Sequence, residues 1–221
     1  MGLDVVFLDI GGVIYDDRIY RRAVLRGLRD LGADVTDESY EAAYEELRRA
    51  QSASFRDALA DRFLPAGIGR GEVTKAIASH WANPPDALHE DVRPCLDELT
   101  EAGYRLGVIA NQPSEVLRAM MRDRLGGYFE FLGVSDELGL EKPDARIFAH
   151  ALREIGAKPS ACAMVGDRLD YDVRPAKAAG MRAVWLLRGE APQEPTAEQL
   201  AEPDAAIRTL AELPAVLEVL G

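Results

Sequence analysis

Asp4-Val5-Val6-Phe7-Leu8-Asp9-Ile10-Gly11-Gly12-Val13-Ile14 is the stretch from which the fold is read. A nearly unbroken apolar run ends in an aspartate, and two glycines follow at once. A parallel strand buried on both faces reads as such a run, because helices cover it above and below. Open α/β sheets place their chemistry at the carboxyl ends of strands, where Asp9 would sit. Gly11 and Gly12 allow a sharp turn and a close approach of ligand to main chain. On its own the stretch is a strand-to-loop signal with a suggestive acid. Its weight comes from the segments that accompany it.

Downstream of it the pattern turns helical for about seventy residues. Tyr20, Val24, Leu28 and Leu31 share one helical face, and Tyr40, Ala43, Tyr44 and Leu47 share a second, entered through Thr36-Asp37-Glu38-Ser39. Phe55, Ala58, Leu59 and Phe63 mark a third helix, and a fourth runs roughly from Glu72 to Trp81 before Asn83-Pro84-Pro85. With no strand among them, residues 16–88 read as a helical insert. From Asp91 onward the rhythm alternates. A helix through Val92, Leu96 and Leu99 precedes an apolar strand at Tyr104–Ala110. Further strands fit Phe129–Val134, Ala161–Val165 and Arg182–Leu187, with helices between them and an edge strand near Ala205–Ile207. Alternating strands and helices imply a doubly wound parallel sheet. The expected organisation is an α/β core formed by residues 1–15 and 89–221, with a helical domain at 16–88.

Composition narrows the partners. The chain has 221 residues, 48% hydrophobic and 29% charged, and a net charge of −12, with a pI near 4.8. Such an acidic balance argues against nucleic-acid or anionic-membrane surfaces, which select basic patches. Small solutes are the expected partners. Cys95 and Cys162 stand far apart, with no CxxC, so neither a zinc ribbon nor a disulfide framework is supported. Without a signal-like segment or a membrane-length apolar run, a cytoplasmic setting is the default. Oligomeric state is not readable.

Four segments fall at or just beyond the carboxyl ends of strands: Asp9–Val13, Val108–Asn111, Lys142-Pro143-Asp144 and Val165–Asp172. Together they bring carboxylates, one lysine and glycine-opened backbone to one sheet edge. Acids gathered there would repel one another unless a cation shared the site. Oxygen ligands in this number suit Mg²⁺, and a lysine suits a phosphoryl group. Phosphoryl transfer fits such a set, because its catalysis is mostly positioning and electrostatics.

The order and spacing of these segments resemble the haloacid dehalogenase superfamily, in the subfamily whose helical cap is inserted after the first strand. The resemblance covers essentially the whole chain. Gly139-Leu140-Glu141-Lys142-Pro143-Asp144-Ala145-Arg146-Ile147-Phe148 and Gly166-Asp167-Arg168-Leu169-Asp170-Tyr171-Asp172 carry it most specifically. It implies Asp9 as nucleophile, forming an aspartyl-phosphate, and Lys142 holding the phosphoryl group and balancing Asp9. It implies a Mg²⁺ site from Asp9, the main-chain carbonyl of Gly11, and Asp167, with Asp172 close behind. Gly12 and Asn111 join Lys142 as expected phosphate contacts.

Two positions depart from the family's phosphatases. Gly11 stands where they usually carry a second aspartate as general acid and base, and Ala110 where they carry Ser or Thr. General acid–base groups contribute about 10²–10⁴-fold in rate, so a bias toward low-pKa leaving groups is expected. A metal-independent 2-haloacid dehalogenase and a non-catalytic binding protein remain the alternative expectations. Asp16 and Asp17 are expected to cap the first inserted helix. Arg18, Arg21 and Arg22 would either reach over the site or form a solvated basic face.

Overall fold

The structure, a computed structural model, describes residues 2–221. Strand β1 (Val5–Leu8) lies at the centre of a six-stranded parallel sheet ordered β3-β2-β1-β4-β5-β6. The other strands are β2 (Arg105–Ala110), β3 (Phe129–Val134), β4 (Cys162–Gly166), β5 (Arg182–Leu186) and β6 (Ala205–Ile207). All four residues of β1 are fully buried. Val6 and Leu8 pack into one apolar cluster while Val5 and Phe7 pack into another, on the opposite face. Two covered faces explain why this strand reads as a continuous apolar run.

Between β1 and the core helix α5 (Val92–Glu101) come four helices: α1 (Arg18–Asp30), α2 (Asp37–Ala50), α3 (Phe55–Phe63) and α4 (Arg70–Ala78). They close around an apolar cluster of their own, with Val24, Leu28, Tyr40, Tyr44, Leu59 and Ile77 at its centre. Thr36 starts α2 through a reciprocal capping box with Ser39, as its composition implies. The remaining helices are α6 (Glu115–Arg122), α7 (Ser135–Leu138), α8 (Ala145–Ile155), α9 (Arg174–Ala178), α10 (Ala197–Leu200) and α11 (Leu213–Leu220). The helical segment between β4 and β5 opens with a π-helical turn at Leu169–Val173. Such turns are frequent at functional sites. Among the described residues no helix is long and apolar enough to cross a membrane.

Chain order reverses at β1: β2 and β3 lie to one side of it, β4 to β6 to the other. This is the switch point at which open sheets leave a crevice. Leu8 is in register with Val108 of β2 and Val165 of β4. The loops that leave these three strands therefore emerge side by side.

Candidate active site

Asp9 follows β1 directly. Its Oδ1 accepts from the backbone N–H of Ile10 at 2.7 Å and from Lys142 Nζ at 2.9 Å, which leaves Oδ2 uncommitted. Asp167 follows β4, and Asp172 returns from the π turn; both are buried. One oxygen from each of Asp9, Asp167 and Asp172 lies within 4.8 Å of the others. Asp172 is the most constrained: Oδ1 accepts from Lys142 Nζ at 2.6 Å and Oδ2 from Arg168 N at 3.0 Å. Gly166 has no side chain because Asp172 packs against it; a Cβ there would sit 2.1 Å from the Asp172 carboxyl carbon.

Lys142 reaches the centre from the loop between α7 and α8, and 2% of its side chain is exposed. Burial alone would lower its pKa, but the carboxylates of Asp172 and Asp9 overturn that and hold it above its ordinary value. The acids still outnumber their buried cation. Burial raises the Asp9 carboxyl to about 6 against the pull of Lys142, with Asp172 adding to the rise. Asp167 is pushed well above the carboxylate range by burial and then by Glu190, Asp9, Asp172 and Asp17. Lys142 pairs with Asp9 and Asp172 and leaves Asp167 without a cation among the described residues, so a metal ion relieves what a lone lysine cannot. An all-oxygen donor set of this kind fits Mg²⁺.

Asn111 is tied to the lysine it was expected to join at the phosphate. Its Nδ2 donates to the Lys142 carbonyl at 2.8 Å, and its Oδ1 accepts from the Lys142 N–H at 2.7 Å. The amide thus positions the Lys142 backbone with one of its two N–H donors. Gly12 has φ +68, and a Cβ on it would lie 2.3 Å from Asp167 Oδ2 and 3.0 Å from the Gly189 Cα. Only glycine lets the loop after β1 pass this close to Asp167. Gly11 lines the same cavity as Asp9, Asn111, Lys142 and Asp167.

That cavity, about 820 Å³, opens between the sheet edge and the helical block. Tyr20, Phe55, Ile77 and Trp81 supply its apolar wall. Arg18, Arg21 and Arg22 do not line it. Arg18 and Arg22 are exposed, Arg18 held by Asp16, as the solvated-face expectation has it; Arg21 instead pairs with Glu41 and stacks 4.3 Å from the Tyr44 ring centre. Asp16 also accepts from the Arg18 N–H at 2.9 Å, whereas Asp17, at the N-cap position of α1, makes no cap bond. Asp17 instead lines the cavity, its carboxyl pushed up to about 7 by burial and by Glu190 and Asp16.

The segment after β5 escaped sequence reasoning. Arg188 Nε donates to the Gly12 carbonyl at 2.9 Å, while Nη1 holds both oxygens of Asp91. The Glu190 N–H donates to Asp167 Oδ2 at 2.6 Å. Trp185, within β5, donates from Nε1 to the Asp167 carbonyl at 2.9 Å. The one available signal was position, since this loop leaves a strand beside β4 at the same edge. Arg168 then joins the site to the helical block. It bonds Glu190 and Asp170 at 2.7 Å each and the Ala53 carbonyl at 2.8 Å, and it stacks 3.9 Å from the Phe55 ring centre.

Residues 3–180 match the model of the haloacid dehalogenase-like hydrolases. The glyceraldehyde 3-phosphate phosphatase of Methanopyrus kandleri is 32% identical over 77% of this chain and 76% of its own. A solved HAD phosphatase from Thermococcus onnurineus is 27% identical, with a TM-score of 0.63 over 97% of this chain and 98% of its own. A solved 2-haloacid dehalogenase from Pseudomonas syringae has the same identity and TM-score over 99% of this chain and 100% of its own. The match along most of the chain, on a fold with this strand order and this cluster of acids, means that the protein belongs to the haloacid dehalogenase-like hydrolases.

Proposed function

We propose that this hydrolase is a Mg²⁺-dependent phosphatase of small phosphate monoesters, working through an aspartyl-phosphate at Asp9. The observation that carries the reading is the buried cluster of Asp9, Asp167 and Asp172, two of whose acids pair with Lys142. A relative named for glyceraldehyde 3-phosphate hydrolysis supports the substrate class. Attack on a neutral haloacid carbon gives no reason to bury three acids together, so the acid cluster favours phosphate over halide chemistry.

In this reading Asp9 Oδ2, the oxygen free of donors, attacks phosphorus in line with the departing oxygen. The P–O bond to the leaving group breaks as the acyl-phosphate bond forms, and water then attacks phosphorus to regenerate Asp9. Lys142 balances the charge of Asp9 and faces the phosphoryl oxygens. Asp9, Asp167 and the Gly11 carbonyl would hold Mg²⁺, and Asp172 supports Lys142 from behind. Bound Mg²⁺ supplies charge neutralisation to the phosphoryl group. Residues 16–88 act as the cap that shields the reaction from water and selects the leaving group. Gly11 offers no proton, so substrates with good leaving groups are favoured.

The test is phosphate release from a panel of small monoesters with and without Mg²⁺, with Asp9→Asn as control. Mg²⁺-dependent release that disappears in Asp9→Asn supports the reading. Chloride release from 2-haloacids without Mg²⁺ would replace it with the dehalogenase, and Mg²⁺ binding without turnover would replace it with a binding protein.

A further inference from the structure

Gln112 stands out at the rim of the site. Its backbone is fixed: the N–H donates to Ser135 Oγ at 3.1 Å, and the carbonyl accepts from the Asp136 N–H at 3.4 Å. Its side-chain amide, by contrast, makes no hydrogen bond with the described residues. A half-buried amide on an anchored backbone, left without a protein partner, has lost rotamer freedom without gaining a bond. Its direction is set by Gly11. A Cβ built on Gly11 would lie 3.1 Å from Gln112 Nε2, so the amide rests over the bare backbone two residues beyond Asp9. Gln112, Gly11, Asp9 and Lys142 line one wall of the same cavity.

The neighbouring donors are partly engaged already: Lys142 with Asp9 and Asp172, and Asn111 with the backbone of Lys142. Asp172 does not line the cavity, whereas Gln112, resting over Gly11, does. We propose that the Gln112 side-chain amide hydrogen-bonds the leaving-group oxygen of the substrate, in the space that Gly11 leaves open. The inference rests on the phosphatase reading above. Gln112 donates a hydrogen bond and transfers no proton; the departing oxygen takes its proton from water. Negative charge grows on that oxygen as the P–O bond breaks, so the bond strengthens toward the transition state and acts on kcat. The more basic the leaving oxygen, the more the amide contributes.

The experiment compares wild type with Gln112→Ala on a series of aryl phosphates of graded leaving-group pKa, at saturating Mg²⁺, with inorganic phosphate as a competitive inhibitor. Loss of one hydrogen bond to a charged oxygen predicts a fall in kcat of about 10- to 100-fold for the most basic leaving groups. The fall shrinks toward unity for the least basic, with little change in phosphate inhibition, since phosphate carries no leaving group. Gln112→Glu, which keeps the reach but puts an acceptor in place of the donor, should lose at least as much on the basic substrates. Equal loss across the series together with weakened phosphate inhibition would overturn the inference, because the amide would then be holding the phosphoryl group. Unchanged kinetics would overturn it as well. Wild-type turnover separates the two levels. An inactive wild type defeats the phosphatase reading, whereas an active wild type with an indifferent Gln112→Ala defeats only the role of Gln112. Melting temperatures of both variants confirm that the fold is kept.

Discussion

Replacing the proposed nucleophile by its neutral isostere should stabilise the metal-free protein at neutral pH, although it removes one partner of a buried ion pair. The Asp9 carboxyl is raised from 3.8 to about 6, because burial outweighs the attraction of Lys142 and Asp172 adds repulsion. A folded-state pKa above the unfolded value means that the native protein binds more protons than the unfolded chain between those limits. Stability therefore falls as pH rises from about 4 to about 6 and stays reduced above that. A shift of about two units corresponds to about 3 kcal/mol. An asparagine amide carries no charge to desolvate, so Asp9→Asn should recover about 2–3 kcal/mol, or about 5–10 °C in melting temperature for a chain of this size. The assay is thermal denaturation of both proteins in chelator, near neutral pH and again near pH 4. At the lower pH Asp9 is protonated in the folded protein and the two curves should nearly coincide. Added Mg²⁺ should raise the melting point of wild type more than that of Asp9→Asn. An Asp9→Asn variant that melts below wild type at neutral pH in chelator would show that the Lys142 pairing outweighs the burial of Asp9, and the charge balance described above would be wrong.

Lys142→Ala leaves Asp9 and Asp172 buried without a cation; breaking a buried pair from one side costs about 3–5 kcal/mol, so both melting temperature and phosphate release should collapse. Gly12→Ala strains a residue at φ +68 and drives a methyl into Asp167. It should cost about 1–3 kcal/mol and weaken Mg²⁺ binding in calorimetric titration, whereas Gly127→Ala, in open space at ordinary φ, should do neither. Asn111→Ala frees both backbone groups of Lys142 and should lower kcat while leaving Mg²⁺ affinity close to wild type. Across aryl phosphates, wild-type rates should fall steeply with leaving-group pKa; a flat dependence would move the proton-donor role to Asp17, whose carboxyl burial raises to about 7 in the same cavity.

The central strands β1, β2 and β4 were legible because they are buried almost throughout and bounded by glycine, proline or polar residues, although the edge strands β3 and β6 are only partly buried. The strand expected at Tyr104–Ala110 is observed at Arg105–Ala110 and the one at Phe129–Val134 as written. The segments bearing Asp9, Lys142, Asp167 and Asp172 were legible because a parallel sheet brings its strand ends to one edge. What periodicity could not supply was the aim of single side chains. Nothing in the order Ala110-Asn111-Gln112 tells that the first amide binds the Lys142 backbone and the second hangs over Gly11. The Arg188-Gly189-Glu190 segment carries no motif that sets it apart from any polar stretch after a strand. Its contact with Gly12 spans well over a hundred residues of chain, and only the sheet order brings it to Gly12 and Asp167. Asp17 followed a helix-capping pattern that the backbone does not use, since Asp16 takes the local bond.

Every step of the proposed reaction depends on Asp9 carrying the phosphoryl group. Rapid acid quench of the enzyme turning over an aryl phosphate with Mg²⁺, followed by peptide mass mapping, looks for that group itself. The expected result is the mass of one phosphoryl group on the peptide containing Asp9, reduced by borohydride at that residue and missing in Asp9→Asn. Steady turnover with no phosphoryl group trapped on Asp9, or with the group on another residue, would contradict it.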